Sequence, residues 1–135
     1  SPFFNVFFPI ISKIIKKDFV NICELNYNLI MSVIDYLEIK TKVLLSSELN
    51  IDTNKDASEK LVEMIGFVGG NKYLSGSYGK DYINQEIFFK NDIEILFMDN
   101  EFKHYNQQWV GFIEGLSILD AIFNIGKETL NILEI

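Results

Sequence analysis

The sequence predicts an α/β fold: a small parallel sheet of three strands in the order β-α-β-α-β, with two helices ahead of it and two short helices behind. Three observations predict it. Short apolar or β-prone runs stand at residues 41–46, at Tyr73-Leu74 and at residues 93–99, each shorter than an ordinary helix. The stretches between them carry helix start signals: Asp56 with Glu59 three residues on, and Asn84 ahead of residues 85–90. Strands that alternate with helices are joined by crossovers, which makes neighbouring strands parallel.

Each element has a local reason. Phe4, Phe7, Phe8, Ile11 and Ile15 recur at helical spacing, so residues 3–16 read as an amphipathic helix, with Pro9 removing one hydrogen bond and kinking it. Residues 21–38 form the second helix, opened by Asn21 with Glu24 and facing inward through Ile22, Leu25, Leu29, Val33 and Leu37. Residues 41–46 are near-continuously apolar, as a buried parallel strand is. A polar loop leads to the helix that starts at Asp56, runs to about Phe67 with Leu61, Met64 and Ile65 inward, and ends at Gly69-Gly70. Tyr73-Leu74 is the second strand and runs into the glycine loop Ser75-Gly76-Ser77-Tyr78-Gly79. After a short helix, residues 93–99 form the third strand. Residues 100–116 are irregular yet hold Phe102, His104, Tyr105, Trp109 and Phe112, so they are expected to pack back on the domain. Ser117 and Asp120 start a helix ended by Gly126, and a last short helix covers 128–135.

The chain has 135 residues, 48% of them apolar and 23% charged, and twelve are Phe. It reads as a single domain over 1–135: a helical hairpin at 1–40, the β-α-β-α-β core at 41–99, and an aromatic loop with helices at 100–135. Its net charge of −7 argues against nucleic acid and anionic membrane as partners. All twelve basic residues are Lys, so an anion would be held by backbone N–H groups, hydroxyls or ammonium rather than by a guanidinium fork. The one cysteine, Cys23, closes no internal disulfide, fits a reducing, cytoplasmic setting, and reads as a small buried hydrophobe. No run approaches a membrane span.

Ligands of open parallel sheets bind beyond the carboxyl ends of the strands. Ser46-Ser47-Glu48, Ser75-Gly76-Ser77 and Asp99-Asn100 all fall at such ends. The loop through Ser75, Gly76, Ser77 and Gly79 is either an anion cradle or a tight turn that needs glycine; it matches neither the Walker pattern nor the dinucleotide fingerprint. His104 is the only histidine. It is either a general base beside Asp99 or Glu101, or a structural or exposed residue; with one remote cysteine it cannot build a typical zinc site, and the residues name no metal ligand and leave metal use open. Trp109, Tyr105 and Tyr78 either stack on a ring or belong to the core, and Asp120 is either an acid/base or a helix cap. Tyr82 and Trp109 are placed as walls of the pocket. The residues name no cofactor.

Three stretches carry a resemblance: Leu45-Ser46-Ser47-Glu48-Leu49, Tyr73-Leu74-Ser75-Gly76-Ser77-Tyr78-Gly79-Lys80-Asp81-Tyr82, and the run from Phe112 through Gly115, Asp120 and Asn124 to Gly126. In this order and spacing they resemble the WbqC-like family of bacterial proteins, associated with O-antigen and other surface-polysaccharide gene sets. The helix with Pro9 and the step Leu37-Glu38-Ile39 are similar too. The resemblance implies a role in surface-polysaccharide biosynthesis, a transferase-type reaction on a sugar nucleotide or glycan precursor, and a chain that is the C-terminal portion of a longer protein. The family's opening segment around Gln-Pro-x-Tyr-x-Pro is missing here, and Lys103-His104-Tyr105-Asn106-Gln107 lacks the proline of the family's His-Pro-x-Tyr-like stretch. No catalytic residue carries over from the family. The alternative is a non-catalytic module of a larger assembly, docking on the missing N-terminal segment or on another copy of itself.

Overall fold

The structure, a computed structural model, describes residues 1–98 and 102–133. In chain order its elements are α1 (Phe4–Ile15), α2 (Ile22–Tyr36), α3 (Ala57–Phe67), β1 (Lys72–Ser75), α4 (Gln85–Lys90), β2 (Glu94–Phe97) and α5 (Ile118–Ile125), with 3-10 turns at Ser46–Glu48, Ser77–Asp81 and Gly126–Asn131. The chain divides into two compact units: residues 1–41 together with the chain from Phe102 on, and the segment between them.

The first unit is helical. Phe7, Ile11, Leu37 and Ile122 form its buried core, with Leu29, Val33, Tyr36 and Phe123 packed against it. Phe7 is fully buried, and its ring lies 4.7 Å from that of Tyr36; truncating such a residue to alanine costs about 3–5 kcal/mol. The apolar stripe read from the sequence is only partly inward. Phe4 and Phe8 stack on each other at 4.6 Å and remain exposed, as do Ile15 and, on α2, Ile22. Cys23 is also exposed, which corrects the expectation of a buried thiol: helical phase places it beside Ile22 on a face that nothing in this unit covers. Phe3 stands at the N-cap of α1 with no side-chain cap, and its N–H donates to the Phe123 carbonyl at 2.9 Å instead. Asn21 caps α2 by accepting from the Glu24 N–H at 2.9 Å, while the Glu24 carboxylate reaches one residue further back, to the Val20 N–H. Gly126 ends α5 at φ 60° and ψ −133°, and a Cβ there would lie 2.8 Å from the Phe3 ring, so both backbone and packing require glycine.

The second unit holds the sheet. β1 and β2 pair in parallel, in the register Lys72 with Glu94 through Ser75 with Phe97. Ile65, Ile83, Phe88 and Ile93 form the core beneath them, joined by Tyr73, Ile95 and Phe97 from the inner face. Asp56 and Glu59 make the full reciprocal capping box of α3. The Ser58 hydroxyl, buried, accepts from the Asn84 N–H at 2.9 Å and so fixes the start of α4 against α3.

Among the described residues the sheet has two strands rather than the three expected. Residues 41–45 join no ladder among the described residues, Leu45 is extended, and the chain then turns at Ser46–Glu48. Val43 and Leu45 are half-buried while Lys42 and Leu44 face solvent, so the apolar run reflects partial burial of an extended segment and not strand pairing. The last helix expected, 128–135, is a 3-10 turn at Gly126–Asn131 in the described residues.

Candidate functional site

In the second unit, β1 and β2 exit side by side, with the Met98 N–H donating to the Ser75 carbonyl at 2.9 Å. The chain bends after Ser75 into the 3-10 turn Ser77–Asp81. Ser75 is buried, and its hydroxyl donates to the Gly76 carbonyl at 3.2 Å. The Gly79 N–H donates to the same carbonyl at 2.9 Å. A Cβ on Gly79 would sit 1.9 Å from the Ser75 hydroxyl and 2.9 Å from the Ile83 side chain. Ser75 and Gly79 are therefore committed to the turn itself. Gly76, Tyr78 and Tyr82 lie on its outside, Tyr78 with 81% of its surface exposed. Lys80 reaches back over the Phe97 ring at 5.3 Å, a cation–π contact.

In the first unit, residues 104–112 form a loop around an open cleft of about 560 Å³. Here a single side chain organises the backbone. The Gln107 carboxamide donates to the Ile113 carbonyl at 2.8 Å and accepts from the Ile113 N–H at 2.8 Å, as a paired strand residue would. It also donates to the Tyr105 hydroxyl at 3.3 Å. That hydroxyl donates in turn to the Asp120 carboxylate at 2.8 Å, and Asp120 accepts from Asn124 at 3.1 Å. The chain of bonds ties the loop to α5. Burial pushes the Tyr105 phenol up from its ordinary value, with the donation to Asp120 in the same direction and the bond from Gln107 opposing.

Phe112 is the floor of the loop. The His104 ring stacks on it at 4.1 Å, and the Tyr105 ring meets it edge-on at 5.4 Å. Trp109 and Val110 stand at the tip, with 82% of the tryptophan exposed. The reading of Trp109 and Tyr78 as core aromatics does not hold; Tyr105 alone of the three is half-buried. Gln108 accepts from the Ser1 amino group and, at 3.0 Å, from the Ser1 hydroxyl.

The residues singled out in the sequence thus fall in both units: Ser75, Gly76, Ser77, Gly79 and Tyr82 in one, His104 and Trp109 in the other. Asp99 and Glu101, the partners considered for His104, lie outside the described residues. Asp120 caps nothing; Ser117 caps α5, and Asp120 is the acceptor that anchors Tyr105. Sequence reasoning passed over Asn106, Gln107 and Gln108. Three carboxamides directly before a tryptophan are the signal that could have found them. Among the described residues no group of three or more His, Cys, Asp or Glu could hold a metal, and no helix is long and apolar enough to cross a membrane.

The model of the WbqC-like protein family matches residues 1–132. A protein of Mycobacterium tuberculosis, Uncharacterized protein Rv1507c, is 28% identical over 115 residues, which is 84% of this chain and 49% of that protein. The chain spans about half the length of this curated relative. No solved structure matches the chain.

Proposed function

The chain belongs to the WbqC-like protein family, and from that premise we propose that it serves bacterial surface-polysaccharide biosynthesis of the O-antigen type, in the cytoplasm, by a transferase-type step on a sugar nucleotide or glycan precursor. The observation that supports this best is the loop at 104–112. It presents an exposed indole, Trp109, on a backbone pinned by Gln107, beside an open cleft. An aromatic face with carboxamides around it suits a sugar ring, whose C–H face stacks and whose hydroxyls both donate and accept. The proton-transfer candidate of this reading is His104, on the same loop, or else Asp99. In the second unit, the outside of the bend at Gly76 and Ser77, with Tyr82, is a separate candidate for holding an anion, independent of the loop at 104–112.

Nucleotide sugars should raise the melting temperature of the protein and shift the emission of Trp109, its single tryptophan. Trp109→Ala should weaken that binding at least about tenfold and leave the unliganded melting temperature unchanged. Absence of stabilisation by any nucleotide sugar would overturn the reading.

A second reading, a non-catalytic docking module, is favoured by one observation: Val6, Phe8, Ile10 and Ile15 leave much of α1 apolar and exposed. It predicts a concentration-dependent mass in sedimentation that Val6→Ser with Ile10→Ser abolishes.

A further inference from the structure

The cleft at 104–112 has a chemistry narrower than its role in the proposed function requires. Among the described residues no Lys, Asp or Glu lines it, although the chain carries twelve Lys and nineteen acidic residues, and the Ser1 ammonium, though it donates to Gln108, is not among its lining groups. Its polar groups are three carboxamides, a phenol, an indole N–H and an imidazole. Some of these are already spoken for. Gln107 is consumed by Ile113 and Tyr105, and the Tyr105 hydroxyl by Asp120. What remains for a ligand is the amide of Asn106, the Nε2 of Gln108, the indole N–H of Trp109 and the ring nitrogens of His104. A diphosphate entering here would give up water for groups that carry no fixed positive charge, which is unfavourable. A hydroxyl pair would not, because the Asn106 carboxamide offers a donor and an acceptor side by side and the Gln108 Nε2 a further donor. The cleft's 560 Å³ falls within the range of about 300–1,000 Å³ usual for small-molecule sites. The loop is also held before any ligand arrives, since the Gln107–Ile113 pair and the Tyr105–Asp120 bond fix its two flanks, so little ordering is left to oppose binding.

We infer that this cleft takes the uncharged, hydroxyl-bearing ring of the precursor, with Trp109 stacked on its C–H face and Asn106 and Gln108 on its hydroxyls, and that it takes no part in holding the phosphates. The inference rests on the function proposed above and specifies which end of the ligand this loop meets.

The test is a titration of Trp109 emission on the full chain, with methyl glycosides of glucose, galactose, rhamnose and N-acetylglucosamine, and separately with UDP and with inorganic pyrophosphate. At least one glycoside should give a saturable change, of equal affinity at about 0.05 and 0.5 M salt, because no ionic contact is screened. UDP and pyrophosphate should give none. Asn106→Ala should weaken the glycoside about fivefold to tenfold with the melting temperature unchanged. A Trp109 response to UDP or pyrophosphate, or glycoside binding that weakens sharply with salt, would overturn the inference and leave the proposed function standing. The same holds if nucleotide sugars stabilise the protein thermally while no glycoside moves Trp109. If nothing stabilises the protein and nothing moves Trp109, both fall.

Discussion

Gly79 and Tyr105 show how much a single position decides here. Gly79 lies so close to the Ser75 hydroxyl and to Ile83 that a methyl group cannot be added without displacing both. Gly79→Ala should therefore destabilise the protein by about 1–3 kcal/mol, the usual cost of overpacking, as measured by urea unfolding; a cost below about 0.5 kcal/mol would mean that the turn relaxes freely. Tyr105 supplies a pH dependence. Its folded-state pKa lies above the ordinary 10.0, so the folded state keeps the phenol protonated where the unfolded chain begins to lose its proton. The resulting stabilisation is complete below that ordinary value and is lost as pH rises through the raised one. Tyr105→Phe lacks the ionisation. The stability gap between the two proteins should be constant from about pH 7 to about pH 9 and shrink above about pH 10; a gap that stays flat to about pH 11 would contradict the assignment.

At the scale of elements, local signals were legible in the sequence and pairing was not. Asn21, Asp56, Asn84 and Ser117 cap the helices they were expected to cap, because a cap is settled by residues two and three positions away. Two strands and their parallel sense also followed from the alternation of element types. The segment at 41–45 did not, because an apolar run tells that an extended stretch is partly buried and nothing about which edge it meets. Hydrogen exchange separates the two cases: the amides of Glu94 and Met98, bonded to Asn71 and Ser75, should be protected, and those of Lys42, Val43 and Leu44 should exchange fast. Protection at Val43 would restore the third strand. The candidate site was half legible. His104 and Trp109 were picked out as rare residues in an aromatic stretch, but that stretch argued for burial, and only the Gln107 brace explains how Trp109 stands out in solvent. The same density of aromatics hid Asn106 and Gln108.

For the whole molecule, charge and apolar surface oppose each other. A net charge of −7 keeps copies apart near neutrality, while α1 leaves Val6, Ile10 and Ile15 open to contact. Repulsion vanishes near the pI of 4.6, so light scattering should rise there, and less so for Val6→Ser with Ile10→Ser, which alters no charge. An unchanged rise in that variant would place the sticky surface elsewhere. The division into units has a consequence for biosynthesis. Phe7, Ile11 and Leu37 share their core with Ile122, so the leading helices leave the ribosome long before the residue that closes over them. At ordinary elongation rates that wait is on the order of ten seconds. The segment encoded between, which has a core of its own, can mature first, while Phe7, Ile11 and Leu37 wait uncovered for Ile122 to emerge.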